Sequence, residues 1–90
     1  MIEPSEKPFG AALEELLLDD GDIYVSRAGN VKWSTFAAVL EGVPRSSLRA
    51  AVLGVRQPSR PLLEECARVL SVSPRYFAEY RRGERAAEAA

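Results

Sequence analysis

The chain contains no histidine and one cysteine, Cys66. These absences exclude an intramolecular disulfide and any His/Cys zinc site. They also exclude Ser-His-Asp and Cys-His catalysis, both of which need an imidazole base. No apolar run approaches the ~18–20 residues that span a bilayer. The opening Met-Ile-Glu-Pro-Ser-Glu-Lys-Pro is polar and acidic and has no secretory signal character. Glycine-rich phosphate loops of the G-x-x-x-x-G-K-[ST] or G-x-G-x-x-G kind are missing. The expectation is a cytoplasmic protein that is not an enzyme, with no cofactor, no metal and no membrane partner.

What is present is an ordinary globular composition, 47% hydrophobic and 28% charged over 90 residues. That length supports one domain at most. It buries only roughly 60–65% of the unfolded surface, so stability is marginal. Net charge is −1, yet the charges are segregated. Residues 1–22 carry seven acids and one base, Lys7. Residues 27–60 carry Arg27, Lys32, Arg45, Arg49, Arg56 and Arg60 against Glu41 alone. Residues 61–90 carry five charges of each sign. Screening confines electrostatics to about 8–10 Å, so an acidic protein can still present one basic face to phosphates.

Residues 1–8, with two prolines, read as a flexible tail. Phe9, Leu13, Leu16 and Leu17 make one helical stripe over Phe9–Asp19. Asp19-Asp20-Gly21-Asp22 stops that helix, with Gly21 at positive φ. Ile23–Trp33 predicts a β-hairpin or an extended loop around Ala28-Gly29-Asn30, with Trp33 as its anchor. Ser34 is placed to cap a helix over Thr35–Glu41. Gly42 breaks it, Pro44 suits the first turn of a helix over Pro44–Leu53, and Gly54 ends that one. Leu48, Ala51 and Val52 face inward. Ser59 and Pro61 open a helix that buries Leu62, Leu63, Cys66, Ala67 and Leu70. Ser73-Pro74 opens a last helix to about Arg82, which Gly83 interrupts. The domain thus runs over 9–82, with a tail at 83–90.

Two short helices joined by a brief turn have the logic of a helix-turn-helix. Ala38 stands four residues before Gly42, a small residue expected where the helices cross, with Gly42 where the chain reverses. Val43, Leu48, Gly54 and Pro58-Ser59 follow, then Leu62-Leu63-x-x-Cys66-Ala67-x-x-Leu70-x-Val72-x-Pro74-x-Tyr76-Phe77. In their order and spacing these residues resemble the Cro and phage-repressor type of helix-turn-helix, the xenobiotic-response-element (XRE) family, over about two-thirds of the chain. The long segment Gly21–Trp33 departs from the family's tight link between its first two helices. The resemblance implies an all-α, five-helix, λ-repressor-like domain and a small transcriptional regulator, with repression by blocking polymerase as its simplest mechanism.

The resemblance also implies that Arg45, Ser46 and Arg49 read bases in duplex DNA, with Ser47 and Ala50 nearby. Independently, Arg45 and Arg49 stand one helical turn apart on the outer face, and arginine donates two parallel hydrogen bonds to guanine. Backbone phosphates are expected at Ser34, Thr35, Arg56 and Arg60, and at Lys32 and Arg27 if the hairpin acts as a wing. Tyr76, Phe77 and Tyr80 either close the core or form a homodimer interface. Other expectations on the same fold are an antitoxin with a toxin partner, and a protein-interaction module that does not bind DNA.

Overall fold

The computed structural model describes residues 3–19 and 23–89. The described residues form a mostly helical domain of five α-helices, and none of them forms a strand. The first helix, α1, is Phe9–Asp19 and buries Phe9, Ala12, Leu13, Leu16 and Leu17. This is the predicted stripe, with Ala12 added. Its first N–H has no partner within the helix. Glu79, 70 residues away, supplies one: its Oε2 accepts from the Phe9 N–H at 2.9 Å. Gly21, expected at positive φ, lies outside the described residues.

The predicted hairpin is a loop closed by a single antiparallel bridge between Val25 and Val31. The Ser26 N–H donates to the Asn30 carbonyl at 2.8 Å, and Gly29 turns the chain at φ +84°. The Lys32 N–H donates to Tyr24 O at 2.7 Å. One bridge is too little for an independent ribbon, so the loop leans on the helices. The side chain that holds it is Tyr24, not Trp33. Tyr24 is buried, with its ring edge-on to Phe36 at 5.3 Å.

Helix α2 is Trp33–Val39 and begins two residues before the predicted start. Ser34 therefore lies inside the first turn and does not cap the helix; Lys32 holds the N-cap position without a side-chain bond. Phe36 and Leu40 are buried and Ala37 is half-buried, whereas Ala38 is exposed. The small residue facing α3 is thus Ala37, one position earlier than expected. Gly42 does reverse the chain at φ +70°. Helix α3 is Arg45–Val52, with Pro44 as N-cap and Leu53 as C-cap. Leu48 and Ala51 are buried, Val52 is half-buried, and Gly54 follows at φ +79°.

Helix α4 is Arg60–Leu70 and buries the five residues expected. Ser59 Oγ accepts from the Leu62 N–H at 3.3 Å, and Pro61 lies in the first turn. Burial pushes the Cys66 thiol up to about 12, which keeps it an uncharged small hydrophobe. The last helix is not continuous from Pro74. Pro74–Tyr76 form one 3-10 turn, Phe77 is extended, and α5 runs Ala78–Ala89 straight through Gly83. The break turns Phe77 inward, fully buried, with its ring 5.2 Å from Phe9 and 5.4 Å from Tyr76.

The segment before α1 is pinned to this corner. The Ser5 N–H donates to Tyr76 O at 2.9 Å. Arg81 donates to the carbonyls of Ser5 at 2.8 Å, Arg75 at 2.7 Å and Tyr76 at 3.0 Å. It also pairs with Glu6.

Helix α1 packs on α3, α2 packs on α3, and α4 packs on the 3-10 turn and α5. The α1–α3 contact is close enough that a Cβ on Gly10 would lie 2.3 Å from the Val52 carbonyl oxygen. That neighbour is backbone and cannot rotate away. Gly10→Ala gains up to ~1 kcal/mol of helix propensity, but overpacking costs about 1–3 kcal/mol and α1 must move. The expected result is net destabilisation: a lower urea midpoint with an unchanged m-value.

Candidate nucleic-acid interface

Helix α3 carries Arg45 and Arg49 one turn apart, both exposed, with Ser46 exposed beside them. The burial of Leu48 and Ala51 places these three side chains away from the core. Ser47 and Ala50 are half-buried, further around the helix. The first turn of α2 comes alongside. Trp33, Ser34 and Ala37 of α2 face Arg45, Leu48, Arg49 and Val52 of α3 across a half-open groove of about 360 Å³. Ser34 and the two arginines, assigned separately from the sequence, therefore border one groove. Thr35 is exposed on the same turn as Ser34.

Past Gly54 the chain folds back onto α3. The Val55 and Arg56 N–H groups both donate to Ala50 O, at 2.9 and 3.3 Å. Arg56 is exposed on this return. Arg27 is exposed in the turn of the 23–32 loop, and Lys32 is exposed where that loop enters α2.

The ion pairs sort the cations into two groups. Lys7 pairs with Glu15, Arg68 with Glu65, Arg75 with Glu84, Arg81 with Glu6 and Arg82 with Glu79. Among the described residues, Arg27, Lys32, Arg45, Arg49 and Arg56 have no carboxylate partner; beyond the 27–60 segment only Arg85 shares that condition. Exposed pairs add little stability. Their relevance here is placement: outside the 27–60 segment they pair every described cation but Arg85, whereas inside it only Arg60 is paired.

Arg60 departs from the expected set. It is held by Glu64 at 3.3 Å and the Tyr80 hydroxyl at 3.1 Å, with its guanidinium 5.1 Å above the Tyr80 ring. Its charge is already engaged, so the structure does not group it with the unpaired cations. Of the two readings of the ring cluster, Tyr76 and Phe77 take the one that closes the core. Tyr76 and Phe77 are buried in the monomer's own core, and Tyr80 is half-buried with its hydroxyl on Glu64 at 3.1 Å. The inward turn at Phe77 is the cause.

Among the described residues, no three of His, Cys, Asp and Glu gather as metal ligands. No described helix is long and apolar enough to cross a membrane.

Glu65 has a role the sequence reading missed. Its Oε2 accepts from the Glu41 N–H at 2.7 Å, which ties the turn between α2 and α3 to α4. Only its position three residues before Arg68 was visible in the sequence.

No family model, curated protein or solved structure matches the chain.

The Arg68 guanidinium at 2.6 Å and the Glu41 N–H both favour the Glu65 carboxylate, holding its pKa down at about 2 against an ordinary 4.5. A carboxyl depressed by folding stabilises the protein fully above the unfolded pKa, and the gain is lost as pH falls through the folded one. Thermal stability is therefore expected to decline between about pH 4.5 and 2. Arg75 also lowers the Glu84 pKa, so Glu84 adds to the same trend. Glu65→Gln is expected to lower the melting temperature at neutral pH and to flatten, not abolish, this decline. Melting curves of both proteins across that range check it.

Proposed function

We propose that this protein binds double-stranded DNA sequence-specifically as a helix-turn-helix regulator, with α3 in the major groove. The observation that carries the proposal is the segregation of charge. Among the described residues, five cations of the 27–60 segment have no carboxylate partner, while Lys7 of the acidic N-terminal stretch and four of the five cations of residues 61–90 are neutralised by carboxylates. Cations left without partners on a protein of net charge −1 suit a polyanion that approaches from one side.

The roles follow from placement. Helix α3 is about 12 Å long at 1.5 Å per residue, and the major groove admits a helix. Arg45 and Arg49 donate to base edges, with guanine O6 and N7 the best match for a guanidinium fork. Ser46 supports them from the same exposed side. Ser34, Thr35, Lys32 and Arg56 contact phosphates on either side of the groove, and Arg27 reaches the backbone from the tip of its loop. One module of this size covers only ~600–1,000 Å² of DNA, which favours two copies on neighbouring half-sites. In this proposal the DNA brings the copies together, because Tyr76 and Phe77 are already spent on the core. Occupancy of an operator against polymerase makes the protein a repressor.

The test is selection of bound duplexes from a random pool, followed by Arg45→Ala and Arg49→Ala. A defined motif is expected, with each variant losing ~1–3 kcal/mol and relaxing preference at one or two positions. Log K should fall with log salt at a slope of roughly −3, or about −0.9 for each phosphate that Lys32, Arg56 and Arg27 neutralise. A uniform loss across all sequences moves the arginines to phosphate contacts. No binding to any duplex at low salt overturns the proposal and leaves an interaction module on this fold.

A further inference from the structure

We propose that the groove between α2 and α3 is a binding site for a small amphipathic anion of the arylalkyl carboxylate class. Its floor is apolar, made by Trp33, Leu48 and Val52, and Leu53 flanks it with 65% of its surface exposed. Its rim carries Arg45 and Arg49, neither of which has an ion-pair partner among the described residues. Among the described residues no carboxylate lines it. The groove is therefore cationic on one edge and greasy beneath.

Each half of the ligand answers one half of the site. An inorganic anion satisfies the arginines but leaves Leu53 and the half-buried indole and Val52 facing water. A neutral hydrocarbon covers the floor but places nothing against two unpaired guanidiniums. A carboxylate on a short apolar stem does both, with the bidentate geometry that guanidinium prefers. The volume of about 360 Å³ lies at the lower end for small-molecule sites, which selects a ligand of one ring and a short chain. Burying Leu53 and the indole supplies apolar area, and the arginines fix orientation.

The ligand uses the arginines that the preceding section assigns to DNA. A bound carboxylate would occupy them, so ligand and duplex exclude each other and the anion acts as an inducer. That consequence rests on the DNA-binding proposal. The ligand site itself does not, because it can be measured on the free protein.

Trp33 is the single tryptophan of the chain, so its emission reports on the groove directly. The experiment titrates the full chain with 4-phenylbutyrate, with 4-phenyl-1-butanol and with acetate at constant ionic strength. The expected result is a saturable change with phenylbutyrate, with a dissociation constant on the order of a millimolar. The alcohol and acetate should bind at least tenfold more weakly. Arg45→Ala and Arg49→Ala should each weaken phenylbutyrate several-fold, and the double variant should abolish saturation while keeping its helical circular dichroism. No response to phenylbutyrate, an equal response to the alcohol, or an undiminished response in the double variant would overturn the site. In a second arm, phenylbutyrate should weaken duplex binding in proportion to its occupancy. Saturable binding with unchanged duplex affinity leaves the ligand site standing and counts against Arg45 and Arg49 as DNA contacts.

Discussion

Helices α1 and α3 meet backbone to backbone, and the position of the exposed helix depends on that approach. At Gly10 no side chain separates the helices, and the Val52 carbonyl occupies the space a Cβ would need. The contact sits at the C-terminal end of α3. The other end follows the turn at Gly42, whose neighbour Glu41 is bonded to Glu65 of α4. A helix of eight residues is too short to be stable alone. Here it is fixed at one end by packing and at the other by a charge-assisted hydrogen bond, so its outer face is presented in a set orientation.

The interior is entirely apolar among the described residues, and polar groups act at its margins. Phe9, Phe36 and Phe77 are its largest fully buried side chains and come from α1, α2 and the extended break before α5. Around them, three side chains tie distant backbone segments: Glu79 to the start of α1, Glu65 to the α2–α3 turn, and Arg81 to the carbonyls at Ser5, Arg75 and Tyr76. Buried backbone groups must be paired somewhere. In a domain with short helices and few strand bonds, much of that pairing falls to long side chains arriving from elsewhere in the chain.

The helices and their inward faces were legible because they depend on local rules. Periodic apolar residues, Ser59 with Pro61, and glycines at 42 and 54 each act within a turn or two. The misses share a different cause. Ala37 and Ala38 are chemically identical, so only the observed burial of Phe36 and Leu40 tells which one faces α3. The aromatic spacing at Tyr76, Phe77 and Tyr80 suits a continuous helix as well as a break, and burial against Phe9 decides for the break. Gly83 sits in α5 with nothing crowding it, so it costs helix propensity without ending the helix. Gly10 and Arg81 left no local trace, since both act on backbone atoms far away in sequence. At the candidate interface the exposed arginines were legible from periodicity, while the capture of Arg60 by Tyr80 was not.

The partners of Arg81 have a consequence for the order in which the molecule comes apart in acid. Its three carbonyl acceptors carry no titratable proton, and a guanidinium keeps its charge throughout. The bond from Glu41 ends on a carboxylate and can be protonated away. Chain ends usually fray before the interior loosens. At low pH that sequence is expected to reverse: protonation of Glu65 releases the connection between α2 and α3 while the carbonyl bonds still hold the segment before α1 to the corner at Tyr76. Acid thus acts on the middle of the chain first, and amide exchange there would outpace exchange at Ser5.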